Sequence, residues 1–293
     1  MPGNYSFLSK YTYYVPGVAE MFILLAFLLL GSILGNVITT VFTLALGQKA
    51  AVEYGMLIAY PVMFIPPMMY ASAKSGRNSF NKEGIKLDSS NFTPVGGAVC
   101  AIVVAVATLA LGFCTDALTE LLPKMPEALK EIFKSMTSGT LWINLLSVSV
   151  FAPLFEEWLC RGMVLRGLLG NKMKPVWAII ISAAFFAFIH MNPWQAVPAF
   201  LLGLLFGYVY YRTGSLKLTM LMHCINNTFA VVLSNIPALE EMESWHEVLN
   251  APLYWLIFAA CLMLVALSLM LFKKIPLNGK SGNSDSVPCL FSE

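Results

Sequence analysis

Apolar residues in this chain fall into long runs broken by short polar stretches, with neither the two-residue alternation of strands nor the one-sided stripe of a soluble helix. A helix needs about 20 apolar residues to cross a hydrocarbon core of ~30 Å. Eight stretches qualify as candidate spans: Met21–Leu46, Tyr54–Ala71, Val95–Phe113, Leu141–Leu159, Pro175–Met191, Val197–Tyr211, Leu216–Ile236 and Leu253–Phe272. The second carries Pro61, Pro66 and Pro67 and is expected to kink, and the short fifth and sixth are separated by NPWQ. The pattern predicts an all-α polytopic membrane bundle of about eight transmembrane helices. It forms a single integral domain over residues 1–293, with no soluble domain left over. Residues 115–138 predict an amphipathic external segment lying at the interface.

Composition supports this reading. The 293 residues are 58% hydrophobic and 12% charged, where soluble domains carry roughly 25% charged residues. A net charge of +2 without a basic stripe or tail excludes nucleic acid as a partner. Cys100, Cys114, Cys160, Cys224 and Cys261 lie in or beside apolar runs without CxxC or metal-ligand spacing, and read as small core hydrophobes. Cys289 in PCLFSE is fifth from the end, one place off a prenylation box. The first apolar run is too long for a signal-peptide core and is expected to be retained. Placing both termini in the cytoplasm leaves only Lys49, Lys124, Lys130 and Lys134 outside, with the other 14 of 18 lysines and arginines inside.

An ionisable side chain at the bilayer centre costs roughly 2.5–3.5 kcal/mol on insertion scales, so such residues mark a site or a cavity. In EEWLCR, Glu157 and Arg161 are four apart, on one helical face in the favourable order. Glu156 is rotated by about 100° from its neighbour and lacks that partner, which leaves it able to act as a general base. The plain alternative is that these charges only terminate the fourth span at a cytoplasmic edge. In FFAFIH, Phe186 can pack under His190. In HCINN, His223 and Asn227 share a face and can offer donors to a developing oxyanion; interhelical polar glue is the competing reading. His246, in an acidic loop, reads as solvated. Gly203 and Gly207 form a small-xxx-small face, and Tyr208, Tyr210 and Tyr211 beside Arg212 read as an interfacial belt.

Taken in order, EEWLCR, FAFIH and HCINN resemble the EExxxR, FxxxH and HxxxN boxes of the CAAX protease and bacteriocin-processing family, also called Abi or type II CAAX prenyl endopeptidase-like. These are intramembrane endopeptidases. The resemblance covers residues 140–236, which would be the catalytic core. It implies that Glu156 and His190 activate a water, that His223 and Asn227 stabilise the oxyanion, and that Glu157, Arg161 and Phe186 organise the site. It implies no cofactor; zinc held by Glu156, His190 and His223 is the alternative. The implied partners are the bilayer and a peptide or protein substrate entering from the membrane or the cytoplasmic face. A compact chain without targeting features suggests a bacterial plasma membrane. A catalytically idle scaffold that regulates a partner membrane protein is the competing function, and a transporter ranks third because no inverted repeat is visible.

One depth mismatch stands out. On helical rise, Glu156 lies ~21 Å before Gly170 and His190 ~22 Å after Pro175, whereas His223 is only ~12 Å from Ser215. Tilt, a protruding end of the fourth helix or an irregular start to the helix bearing His223 must absorb the difference.

Overall fold

The computed structural model describes residues 7–131, 140–236, 239, 242 and 244–277, and among these the regular structure is entirely helical. The long helices are α1 (Val18–Leu46), α2 (Met56–Asn78), α3 (Gly97–Thr119), α4 (Leu141–Gly170), α5 (Pro175–Phe188), α6 (Pro193–Thr213), α7 (Leu216–Ser234) and α8 (Ala251–Lys273). Seven of them are long and apolar enough to cross a membrane, so the fold is a polytopic membrane bundle with seven such spans among the described residues.

The correction from eight to seven falls on α5. Its 14 residues rise ~21 Å, short of the ~30 Å core. The apolar run continues to Met191, but the helix stops at Phe188 and the chain reverses through Met191 at φ 57° into α6. Asn192 caps α6 by accepting from the Gln195 amide at 2.9 Å, and its own side-chain amide donates to the His190 carbonyl at 2.8 Å. The amphipathic segment expected over 115–138 is also revised. Residues 115–119 belong to α3, 127–131 are helical, and 132–139 lie outside the described residues, as do residues 238, 240, 241 and 243 of the acidic loop and Cys289.

α4 is the centre of the bundle: 56% of its span is buried, against 11% for α8. It runs 11 residues past the end expected at Leu159, because the charges that suggested a terminus are enclosed. Glu157, Arg161 and Arg166 are each 0% exposed. Arg161 and Arg166 therefore belong to the packed interior and not to the loop charges from which orientation was read. Arg166 is solvated by backbone carbonyls, donating to those of Gly162 and Ile85, both at 2.6 Å, and to that of Tyr14. This is how the depth mismatch is absorbed. Gly162 of α4 lies beside Leu216 at the start of α7, so α4 protrudes two turns further and is wrapped by the N-terminal segment and the loop after α2. A Cβ on Gly167 would sit 2.3 Å from the Pro16 carbonyl oxygen. Gly214, at φ 64°, turns the chain between α6 and α7 where a Cβ would meet the Ser89 carbonyl at 2.8 Å, and Asp88 accepts from the Leu216 amide at 3.0 Å. The start of α7, and with it the depth of His223 two turns on, is thereby fixed.

The tyrosine belt is also revised. Tyr210 is fully buried and donates its hydroxyl to the Leu87 carbonyl at 2.7 Å, while Arg212 donates to the carbonyls of Phe272, Lys273 and Ile275 at the end of α8.

Candidate active site

The site is built around a short α-helical stretch of α4, Ala152–Glu157, flanked by two wide π-helical segments, Leu145–Phe151 and Trp158–Leu165. Such wide turns within α-helices occur often at functional sites. Here they set the direction in which the two adjacent glutamates leave the helix.

Glu157 faces inward and is saturated on one oxygen. Its Oε1 accepts from Arg161 Nη1 at 2.7 Å and lies 3.1 Å from His223 Nδ1. Arg161 extends its other terminal nitrogen to the Gly203 carbonyl at 3.1 Å. Its guanidinium lies 4.6 Å from the ring centroid of Phe186 and 5.3 Å from that of Phe206, an attraction of about 2 kcal/mol when desolvated. The small-xxx-small face at Gly203 and Gly207 lets α6 approach Ala183 and Ile179 of α5 to 3.1 Å from the positions Cβ atoms would take. That closeness brings the Gly203 carbonyl within the arginine's reach.

Glu156 points the other way and is 8% exposed. Its Oε1 accepts a hydrogen bond from Tyr60 of α2. Its Oε2 has no hydrogen-bond partner and lies 4.0 Å from His223 Nε2. His223 thus stands between the two carboxylates, and because its Nδ1–H donates to Glu157, a donor at Nε2 exists only in the imidazolium form.

His190 lies in the turn after α5, half-buried, where its Nδ1 contacts the Phe186 carbonyl at 2.7 Å. With Nδ1–H donating to that carbonyl, Nε2 is left as the acceptor. Phe186 is the shared wall: it meets His190 edge-on at 5.0 Å, meets His223 at 5.4 Å and lies under Arg161. Asn227 donates from Nδ2 to the Val148 carbonyl of α4 at 2.8 Å, and its Oδ1 accepts from Asn226 at 3.2 Å. One of its amide hydrogens is therefore committed to holding α7 against α4.

Glu156, His190, His223 and Asn227 all line one cavity of about 640 Å³, within the roughly 300–1,000 Å³ of pockets that enclose a small ligand. Among the described residues, no group of three or more His, Cys, Asp or Glu side chains stands together as a candidate metal site. Cys160, next to the site, is a buried free thiol.

Residues of all three boxes line that cavity: Glu156 on α4, Phe186 on α5 with His190 in the turn after it, and His223 with Asn227 on α7. Residues 138–229 match the family model described as Type II CAAX prenyl endopeptidase Rce1-like. That segment, under half of the chain, carries the recognition and contains every box residue. Over that segment the chain is similar to a family of intramembrane peptidases. No curated protein and no solved structure matches the chain. Tyr60, which holds Glu156, lies outside the Rce1-like segment, 96 positions away in sequence. It is the site residue that sequence reasoning missed. No motif marks it, and the only available signal was a lone hydroxyl in the apolar run LIAYPVMF.

Proposed function

We propose that the protein is an intramembrane endopeptidase in which Glu156 activates water for attack on a peptide bond, without a metal. The observation that carries this reading is the free Oε2 of Glu156, buried, facing the cavity and 4.0 Å from an imidazole nitrogen. In this mechanism Oε2 removes a proton from water while the Nε2 lone pair of His190 orients that water. The hydroxide adds to the carbonyl carbon. The imidazolium of His223, flanked by two carboxylates, donates Nε2–H to the resulting oxyanion, assisted by the free amide hydrogen of Asn227. Collapse breaks the C–N bond, and the proton held by Glu156 passes to the leaving amine. No covalent enzyme intermediate forms. Glu157 and Arg161 keep the imidazole oriented, and Phe186 keeps both rings apart.

The likeness of residues 138–229 to prenyl endopeptidases supports a protein or peptide substrate reaching the cavity from the membrane or the cytoplasmic face. The test is cleavage of a peptide library by detergent-purified protein. Native protein is expected to cleave, the Glu156→Ala variant to be inactive, and the His190→Ala variant to be reduced by about 10²–10⁴. Absence of cleavage by all three would instead favour a catalytically idle scaffold, and equal cleavage by all three would remove Glu156 and His190 from the chemistry. Activity lost on rigorous chelation and restored by zinc would overturn the metal-free step.

A further inference from the structure

The carboxylate that the sequence leaves alone is held from outside the Rce1-like segment. Tyr60 reaches Glu156 from α2, and its ring is placed by packing that the site itself does not supply. On one side, α1 and α2 approach closely: a Cβ on Gly31 would lie 1.9 Å from the Met63 carbonyl oxygen, and one on Gly35 would lie 3.2 Å from that of Ala59. On the other side, Tyr60 packs at 5.6 Å against Phe64, which stacks at 5.2 Å on Phe155, the residue before Glu156. The hydroxyl is therefore delivered to one oxygen of the carboxylate by three helices acting together.

The two oxygens of Glu156 are consequently unequal. Oε1 is engaged by the phenol, and Oε2 is bare, near His223 and open to the cavity. A carboxylate on a flexible side chain can turn either oxygen to a substrate, and ordering it costs entropy at each turnover. We propose that Tyr60 is a positioning residue: by donating to Oε1 it fixes the carboxylate plane so that Oε2 is the oxygen that takes the proton from water. This rests on the glutamate-protease reading above. The α1–α2 pair thereby becomes part of the catalytic unit, although no box residue lies on it.

Tyr60→Phe keeps the ring and removes only the donor. In detergent-purified, monodisperse full-length protein, cleavage of the best library peptide should show kcat reduced about ten- to a hundredfold with KM unchanged. Tyr208→Phe removes an interhelical hydroxyl away from the cavity, one that donates to the Leu269 carbonyl at 3.2 Å, and per folded molecule it should retain kcat within about twofold. A purely structural hydroxyl predicts the contrary: Tyr60→Phe would match Tyr208→Phe in kcat per folded molecule, or would fail to fold, and either result overturns the proposal. The two readings fail separately. If Glu156→Gln is inactive and Tyr60→Phe is as fast as the native protein, only the positioning role is lost; if Glu156→Gln cleaves normally, the glutamate mechanism itself falls.

Discussion

Two polar clusters in this bundle have nearly the same ingredients. One holds Glu156, Glu157, His223 and the hydroxyl of Tyr60. The other, at the end of α3, holds Asp116, Glu120, His246, Ser244 and the hydroxyl of Tyr254. In the second, Asp116 Oδ2 lies 2.9 Å from Ser244, 3.1 Å from the Tyr254 hydroxyl and 3.3 Å from the Trp245 amide. Both Glu120 oxygens lie within 2.9 Å of His246 Nδ1. His246, read as solvated, keeps 30% of its side chain exposed and also lies against the Tyr254 ring with centroids 3.5 Å apart. This cluster ties the end of α3 to the start of α8 and faces partly outward. What separates the two is unused bonding capacity: one cluster leaves a buried carboxylate oxygen bare beside an imidazole and a cavity, while the other directs its carboxylates at donors from the adjoining chain. An acid and a histidine together do not mark a site; a buried acceptor left unsatisfied in a cavity does.

The largest difference between the clusters is expected at the buried ion pair. Arg161→Ala leaves Glu157 charged and enclosed, and should cost about 3–5 kcal/mol of stability as well as activity, read by thermal unfolding in detergent and by peptide cleavage. Next is Asn227→Ala, which should lower kcat by about 10²–10³ if its amide serves the oxyanion. A small kcat effect with marked destabilisation would reduce Asn227 to a tie between α7 and α4. A smaller effect is expected in the outer cluster, where His246→Ala should cost about 0.2–1 kcal/mol, as exposed pairs do, and leave cleavage unchanged.

The least of these effects concerns pH. The Ser244 hydroxyl, followed by His246, holds the Glu120 carboxyl below the usual carboxylate range. A carboxylate depressed in the folded state stabilises the protein above its unfolded pKa, about 4.3, and loses that contribution as pH falls through the folded value. Thermal midpoints taken from pH 6 downward should therefore show an acid-side loss that Glu120→Gln removes. An unchanged slope would remove the linkage.

The contrast also explains what was legible in the sequence. Spans were readable because length and hydrophobicity are local properties, and Glu157–Arg161 was readable because four residues of helix put them together. The terminus expected at Leu159 failed because burial of Arg161 and Arg166 depends on partners such as Gly203, Ile85 and Tyr14, which no local window contains. The fifth span failed because its last apolar residues form a turn, not a helix. Tyr60 was invisible for the same reason as the α4 extension: its meaning comes from a helix 96 positions from its partner. The box residues could be named from their order alone, but which of the two unpartnered glutamate oxygens belongs to a residue lining the cavity required the fold.

That free oxygen is tested most directly by Glu156→Gln, which keeps the shape of the side chain and removes its capacity to take a proton. Peptide cleavage by the purified variant should fall by at least about 10² while its thermal midpoint stays near that of the native protein. Cleavage at the native rate, in a variant folded as well as the native chain, would contradict the assignment of Glu156 as the base.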